Sequence, residues 1–190
     1  MIQIGEDKLL AAYTRGMDEF LKLLTDTYLD CVNNDLSAEN IEKLSGYQHA
    51  LLAYRFFQEE VNQGGFVQLI QNGYGGYVFD NPTAKALKLF GAVETAKIIY
   101  KAAAIYHAHR AELERETTDD EFMAMYVDFE EFDDLEEAYF LIEEEETACI
   151  ACFVKKNIED FVDLMSWNYL KINTWHRFWE HIKRNLIHLS

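Results

Sequence analysis

The cysteine pair Cys149 and Cys152 is the first place to look for chemistry, because its spacing is that of a redox motif. Redox pairs normally begin a helix that follows a strand, whereas this pair sits within a predicted helix and is preceded by four glutamates. Nearby carboxylates raise the pKa of a thiol and so make it less reactive. We therefore predict that Cys149 and Cys152 are buried structural cysteines. These two and Cys31 are predicted to be reduced thiols in a cytoplasmic protein.

The histidines have few partners that could complete a metal site. His107 and His109 are two residues apart and so point to different faces of a helix. His109 with Glu112, or His176 with Glu180, can share a face, but nothing supplies the remaining ligands at metal spacing. An enzyme with a metal or carboxylate site is thus only an alternative. The sequence predicts no catalytic residue, no metal and no cofactor.

Carboxylates are concentrated between Glu112 and Glu146, which we call the acidic stretch. It holds seventeen acidic residues and one basic residue, Arg115, and so carries −16 of the net charge of −17. Direct binding of nucleic acid is excluded for such a surface, since phosphates are bound by lysine and arginine. Adjacent carboxylates repel, and no internal relief is visible in the sequence.

Two interpretations of the acidic stretch remain. One is a solvated surface that aids solubility. The other is a binding surface for a basic protein, because carboxylates three or four residues apart on a helix have Cβ atoms about 5–6 Å apart, which approaches the spacing of phosphates along a strand. The predicted protein-binding residues are Asp119, Asp120, Glu121, Asp128, Glu130, Glu131, Asp133, Asp134, Glu136, Glu137, Glu143, Glu144, Glu145 and Glu146.

The elements that position these residues are predicted to be helices. Hydrophobic residues make up 49% of the chain, and one proline and nine glycines are few for 190 residues. This composition predicts an all-α protein, one compact domain over residues 1–190 with about seven to nine helices. Apolar spacing indicates helices over 6–30, 38–62, 66–71, 84–90 and 93–115.

Smaller signals mark where helices begin and end. Gln63-Gly64-Gly65 predicts a helix stop, and Thr118 with Glu121 fits a capping box. Asn81 is expected to cap a helix that has Pro82 in its first turn, and Asp133 and Asp134 are expected to cap another.

The chain has no stretch of eighteen apolar residues, so no membrane span is expected. Its first residues lack the basic-then-apolar order of a signal peptide. A cytoplasmic location is predicted.

Residues 163–190 form a predicted helical extension that is rich in aromatic residues. Trp167, Trp175 and Trp179 lie in it, and tryptophan is a common anchor of protein interfaces. An alternative function is therefore an immunity or adaptor protein that binds through this extension. Ordinary core packing and a homodimer seam are further explanations for the same residues.

A resemblance to a known family rests on residues outside the acidic stretch. The segment Asn62-Gln63-Gly64-Gly65-Phe66-Val67-Gln68 and the turn Asn72-Gly73 resemble the bacterial DNA-mimic-protein domain family, and so does the run Ala86 to Ala92. The resemblance covers roughly residues 40–162.

The resemblance implies an all-helical fold and a DNA-mimic role. The family includes an acidic dimer that imitates duplex DNA and binds a transcriptional regulator. For this chain the resemblance leads us to expect a basic protein partner such as a transcriptional regulator, no direct nucleic acid binding, and a homodimer. Asn62, Gly64, Gly65, Phe66 and Asn72 are expected to serve turns and packing.

Overall fold

The structure is a computed structural model that describes residues 2–165, and within them it is mostly helical. The all-α prediction is confirmed: in this part of the chain eight helices have eight residues or more, and two are shorter. The elements are β1 (Gln3–Gly5), α1 (Glu6–Arg15), α2 (Met17–Cys31), α3 (Ala38–Ile41), α4 (Gly46–Gln71), α5 (Gly75–Phe79), α6 (Thr83–Phe90), α7 (Val93–Leu113), α8 (Asp119–Asp128), α9 (Asp133–Phe140), α10 (Glu143–Lys156) and β2 (Asp163–Met165). Short 3₁₀ turns cover Glu130–Phe132 and Ile158–Asp160.

The predicted helix over residues 6–30 is two helices, α1 and α2. Gly16 separates them with φ of 145° and ψ of 170°, a backbone conformation that side-chain-bearing residues rarely adopt. The apolar spacing continues across the break, which is why periodicity alone does not reveal it.

The predicted helix stop at Gly64 and Gly65 is confirmed as a kink in α4. Gly64 has φ of −163° and ψ of 25°, and Gly65 has φ of 72° and ψ of −169°, so both leave helical values. The chain resumes a helix at Phe66, as predicted for residues 66–71. The two parts of α4 therefore run in different directions, and the kink between them faces helices that follow α4 in the chain.

Two predicted caps are wrong and one is confirmed. Thr118 and Glu121 form the capping box at the start of α8. The amide of Asn81 instead donates to the carbonyl of Tyr77, and Pro82 precedes the first residue of α6. No side-chain cap is present at the start of α9, where Asp133 is already the first helical residue.

A two-stranded parallel pairing joins the two ends of the described part. β1 pairs with β2, with Gln3 opposite Asp163. Residues 163–165, predicted to begin the helical extension, form this strand instead; residues 166–190, with Trp167, Trp175 and Trp179, lie outside the described residues. Strands of three residues are too short to show a period of two in the sequence.

Aromatic rings of the core fix the acidic stretch against α4. Phe66 stacks on Phe132 with ring centroids 5.1 Å apart, and Phe57 meets Tyr139 at 4.6 Å. All four rings are fully buried. Side chains of α9 and of the turn before it therefore pack on both sides of the α4 kink.

Substitution of Gly65 by alanine tests the kink. A Cβ at Gly65 would lie 2.1 Å from a carboxylate oxygen of Glu136, on a backbone with φ of +72°. We expect Gly65→Ala to lower the free energy of unfolding by about 3 kcal/mol, measured by urea denaturation. Gly73→Ala is the matched control, since Gly73 also has positive φ but a Cβ added there would meet no atom within 4 Å; its cost should be about 1 kcal/mol. If Gly65→Ala and Gly73→Ala lowered the free energy of unfolding equally, the close approach of the Glu136 carboxylate to Gly65 would not be what makes Gly65 necessary.

Candidate protein-binding surface

Eleven of the fourteen predicted acidic residues are exposed. They lie at the start and end of α8, in the turn after it, on α9 and in the first turn of α10. These residues are Asp119, Asp120, Glu121, Asp128, Glu130, Glu131, Asp133, Asp134, Glu137, Glu144 and Glu145. We call them the exposed acids.

The exposed acids have few ion-pair partners among residues 2–165. Only Glu121 forms an ion pair there, with Arg115 at 3.1 Å. Glu121 also accepts hydrogen bonds from the backbone N–H and the hydroxyl of Thr118. These bonds, with Arg115, lower the pKa of Glu121 to about 2. The one basic residue of the acidic stretch is thus occupied, and the other ten exposed acids stay uncompensated by described side chains.

Glu146 is buried and has a structural role. Its two carboxylate oxygens accept hydrogen bonds from the backbone N–H groups of Glu94 at 3.2 Å and Thr95 at 2.7 Å. Both N–H groups belong to the first turn of α7, where helices leave their donors without internal partners and favour negative charge. Glu146 therefore caps α7 from another helix.

Glu143 ties the start of α10 to α4. One of its carboxylate oxygens accepts hydrogen bonds from the side-chain amides of Gln58 and Asn62, each at 2.9 Å. Asn62 is the first residue of the Asn62–Gln68 segment, which carries the family resemblance. Through this hydrogen bond, that segment holds the acidic stretch in place.

Glu136 ties α9 to the α4 kink. It accepts a hydrogen bond of 2.8 Å from the backbone N–H of Phe66, the first residue after the kink. Burial raises the pKa of this carboxyl, the Phe66 bond partly offsets that rise, and the Asp133 charge adds to it. The absence of a side chain on Gly65 is what lets the carboxylate reach this position.

The Asn62–Gln68 segment also anchors α8 and the end of α4. The hydroxyl of Tyr126 donates to the carbonyl of Gly64 at 2.8 Å. Glu60 accepts from the side-chain amides of Gln68 at 2.9 Å and Asn72 at 2.7 Å. The expectation that these residues serve turns and packing is thus matched by their contacts, and three of their hydrogen bonds, those of Asn62, Gly64 and Phe66, lead to the acidic stretch.

Sequence reasoning places Glu136, Glu143 and Glu146 in the binding surface and misses their internal bonds. Their partners are 51 to 85 residues away in the chain, which no local pattern reports. One signal is present for Glu146: it lies four residues before the buried Ile150 and eight before the buried Val154, on the apolar face of α10.

The cysteines and histidines form no candidate active site within the described residues. Cys31, Cys149 and Cys152 are free thiols and all exposed, so the burial predicted for Cys149 and Cys152 is wrong. The inward face of α10 is taken by residues such as Ile150 and Ala151, and the cysteines on either side point outward. Although Cys149 is exposed, partial desolvation of its thiol by the surrounding protein, together with the neighbouring Glu146 charge, raises its pKa.

Each histidine in residues 2–165 has at most one side-chain partner that could share a metal, and for His49 that partner is the hydroxyl of Tyr77 at 2.8 Å. His107 lies 2.9 Å from Asp80, and His109 lies 3.6 Å from Glu112. That part of the chain contains no group of three or more side chains placed to hold a metal ion. His176 and Glu180 lie outside the described residues.

None of the helices described is long and apolar enough to cross a membrane.

These features define a small all-helical protein with an acid-rich face. Residues 42–163 match the family described as DMP19-like protein, and the chain belongs to that family. The chain is similar to the DNA mimic protein DMP19 of Neisseria meningitidis serogroup B, with 33% identity over 129 residues, which are 66% of this chain and 77% of that protein. The resemblance identified from residues 40–162 is confirmed.

Replacing Glu146 tests its capping of α7. We expect Glu146→Ala to lower the free energy of unfolding by about 3 kcal/mol, because two helix N–H groups lose a charged acceptor. The neighbouring Glu145 is exposed, and Glu145→Gln should change stability by less than about 0.5 kcal/mol. Urea denaturation of both variants measures the difference. Similar losses would show that Glu146 is not a structural residue.

The pH dependence of stability tests the burial of Glu136. Since its pKa is raised in the folded state, the folded protein binds this proton more tightly than the unfolded chain. The stability that this group contributes is present below its unfolded pKa and is lost as pH rises through the folded pKa.

Glu136→Gln keeps an oxygen that can accept from Phe66 and removes the titration. The stability of the variant relative to the unsubstituted protein should therefore rise as pH increases from about 4, measured by urea denaturation at several pH values. Glu137→Gln, on the exposed side of the same helix, is the control. A relative stability of Glu136→Gln that does not change with pH would contradict the assignment.

Proposed function

We propose that this protein binds a basic DNA-binding protein in place of DNA, through the exposed acids of α8, α9, α10 and the turn between α8 and α9. The observation that supports the proposal is that ten of these eleven carboxylates have no described basic partner, although the fold holds them on α8, α9, α10 and the turn between α8 and α9. Membership in a family that includes a DNA mimic protein points the same way.

The framework under the exposed acids favours binding at low entropic cost. α9 presents Asp133, Asp134 and Glu137 outward, while Leu135 and Tyr139 of the same helix are buried. Carboxylates spaced by three or four residues on a helix keep Cβ separations of about 5–6 Å. A preorganised array of charges meets a basic surface without first ordering its own backbone.

The three inward carboxylates do not belong to this proposed surface. Glu136, Glu143 and Glu146 accept hydrogen bonds from α4 and α7, so neutralising them disturbs the fold as well as the charge. A clean test must use exposed acids whose side chains have no described hydrogen bond.

The proposed test neutralises Glu130, Asp134 and Glu137 together, as Glu130→Gln, Asp134→Asn and Glu137→Gln. The unsubstituted protein, immobilised in low salt, is expected to retain a basic DNA-binding protein from extracts of its host. Duplex DNA and salt should each release it. Three exposed charge contacts at about 0.7 kcal/mol each predict that the triple variant binds the isolated partner roughly thirtyfold more weakly.

A matched control removes three exposed acids elsewhere: Asp30→Asn, Glu39→Gln and Glu42→Gln, in α2 and the region of α3. This control has the same net charge as the test variant. Equal weakening of partner binding in both variants would therefore mean that overall charge, and not the position of the exposed acids, determines the affinity. A partner that is retained equally with and without competing duplex DNA would refute mimicry of DNA, even if it is basic.

A further inference from the structure

Helix α8 has an apolar face that points away from the core. Met125 faces inward and is buried, whereas Met123, Ala124 and Val127 are exposed, and we call these three the outer stripe. Val127 follows Met123 by four residues and Ala124 by three, so the three side chains lie together on one side of the helix. Met123 is 64% exposed and Val127 is 76% exposed, although both are large and apolar. Residues 2–165 therefore leave this helix face open.

Every charged residue of α8 is acidic. The helix contains Asp119, Asp120, Glu121 and Asp128 and no lysine or arginine. Three of these lie in its first turn, where the helix dipole favours negative charge, but Asp128 is its last residue, where the dipole disfavours it. The turn Glu130–Phe132 adds two more carboxylates at that end. Among the exposed acids of residues 2–165 only Glu121 has an ion pair, so the C-terminal end of α8 has no described counter-charge.

Imitation of phosphates by carboxylates gives no reason for large apolar side chains on the same surface. An apolar face between two groups of carboxylates is instead complementary to a helix that is apolar along one side and basic at its edges. We propose that the outer stripe binds the apolar side of a basic amphipathic helix of the partner, whose lysines and arginines reach the carboxylates at both ends of α8. This inference rests on the function proposed above and names the chemistry by which the partner is recognised.

The dimensions of α8 suit a helix that lies along it. Asp120 and Asp128 are eight residues apart, which is about 12 Å along the helix axis. A partner helix spans that distance with basic residues about seven or eight positions apart, and its apolar residues between them then lie over the outer stripe. The ion pairs and the apolar contact can therefore form at the same time.

A second copy of this chain fits the outer stripe less well. Its own α8 would bring the same acidic residues and no basic one, so two stripes in contact would place like charges against each other. A basic helix removes repulsion at this site, whereas a second α8 adds to it.

Two synthetic peptides separate the apolar contact from the charge. Both are lysine-rich helices of equal length and charge; one carries leucines along one side, and the other carries glutamines at those positions, since the two residues have similar helix propensities. Fluorescence anisotropy of the labelled peptides measures their binding to the unsubstituted protein. The leucine peptide should bind about tenfold more tightly than the glutamine peptide. That ratio should be the same in low and in physiological salt, because apolar contacts are not screened.

The double variant Met123→Gln, Val127→Thr should abolish the preference for the leucine peptide and leave the affinity for the glutamine peptide unchanged. Both side chains are exposed, and the substitutions keep the net charge, so urea denaturation should show an unchanged fold. Leu89→Gln is the matched control, because Leu89 is also apolar and 56% exposed but lies on α6. This control should keep the preference.

Several results would overturn the proposal. One is equal affinity of the unsubstituted protein for the two peptides, or no binding of either. Another is a preference that the double variant retains, since the apolar contact would then lie elsewhere on the protein. A change of oligomeric state in the double variant, seen by analytical ultracentrifugation, would assign the stripe to an interface between copies instead.

The variant that combines Glu130→Gln, Asp134→Asn and Glu137→Gln should weaken both peptides alike and keep the preference; its loss there would show that charge, and not the outer stripe, produces it. No DNA-binding protein enters these measurements. The apolar contact can therefore fail while the proposed function stands, and the proposed function can fail while the peptides still discriminate.

Discussion

The hydrogen bond from the backbone N–H of Phe66 to the Glu136 carboxylate is the contact on which the position of the acid-rich face depends. It exists because Gly65 has no side chain and adopts a positive φ, which opens α4 at the point where the carboxylate enters. Phe66 then stacks on Phe132, so the same residue supplies a polar and an apolar contact to the acidic stretch. Tyr126 adds a hydrogen bond to Gly64, within the kink, and Glu143 adds one to Asn62, just before it.

This arrangement changes the meaning of the charge count. From the sequence, seventeen acidic residues and one basic residue predict repulsion among carboxylates that nothing offsets. In the structure, however, some of these carboxylates take part in hydrogen bonds within the fold. Glu136, Glu143 and Glu146 accept hydrogen bonds from backbone or amide donors, which stabilise a carboxylate without adding a positive charge. The protein thus offsets part of the repulsion while it keeps its surface anionic, which a set of salt bridges would not do.

Patterns within about four residues predict much of the fold. The helical period, the glycine pair at 64 and 65, and the Thr118 capping box are local, and the structure contains all three features. The break at Gly16 escapes prediction because the apolar period runs through it, and the pairing of β1 with β2 escapes it because the paired residues are 160 apart.

The candidate surface is predictable in composition but not in orientation. A count of carboxylates does not say which ones face inward, since that depends on donors from α4 and α7 that only the tertiary structure brings near. The cysteines show the same limit: their residue type favours burial, but the register of α10 turns Cys149 and Cys152 outward.

Charge alone is a weak source of selectivity for the proposed partner. Exposed carboxylates attract many basic surfaces, and that attraction is screened over about 8 Å at physiological salt. Apolar contacts are not screened, and they discriminate by shape. Met123 and Val127 place such contacts among the exposed acids, at a site where solubility alone would favour polar residues. In the proposed role, the carboxylates therefore set which class of protein approaches, and the apolar side chains of α8 set which member of that class remains bound.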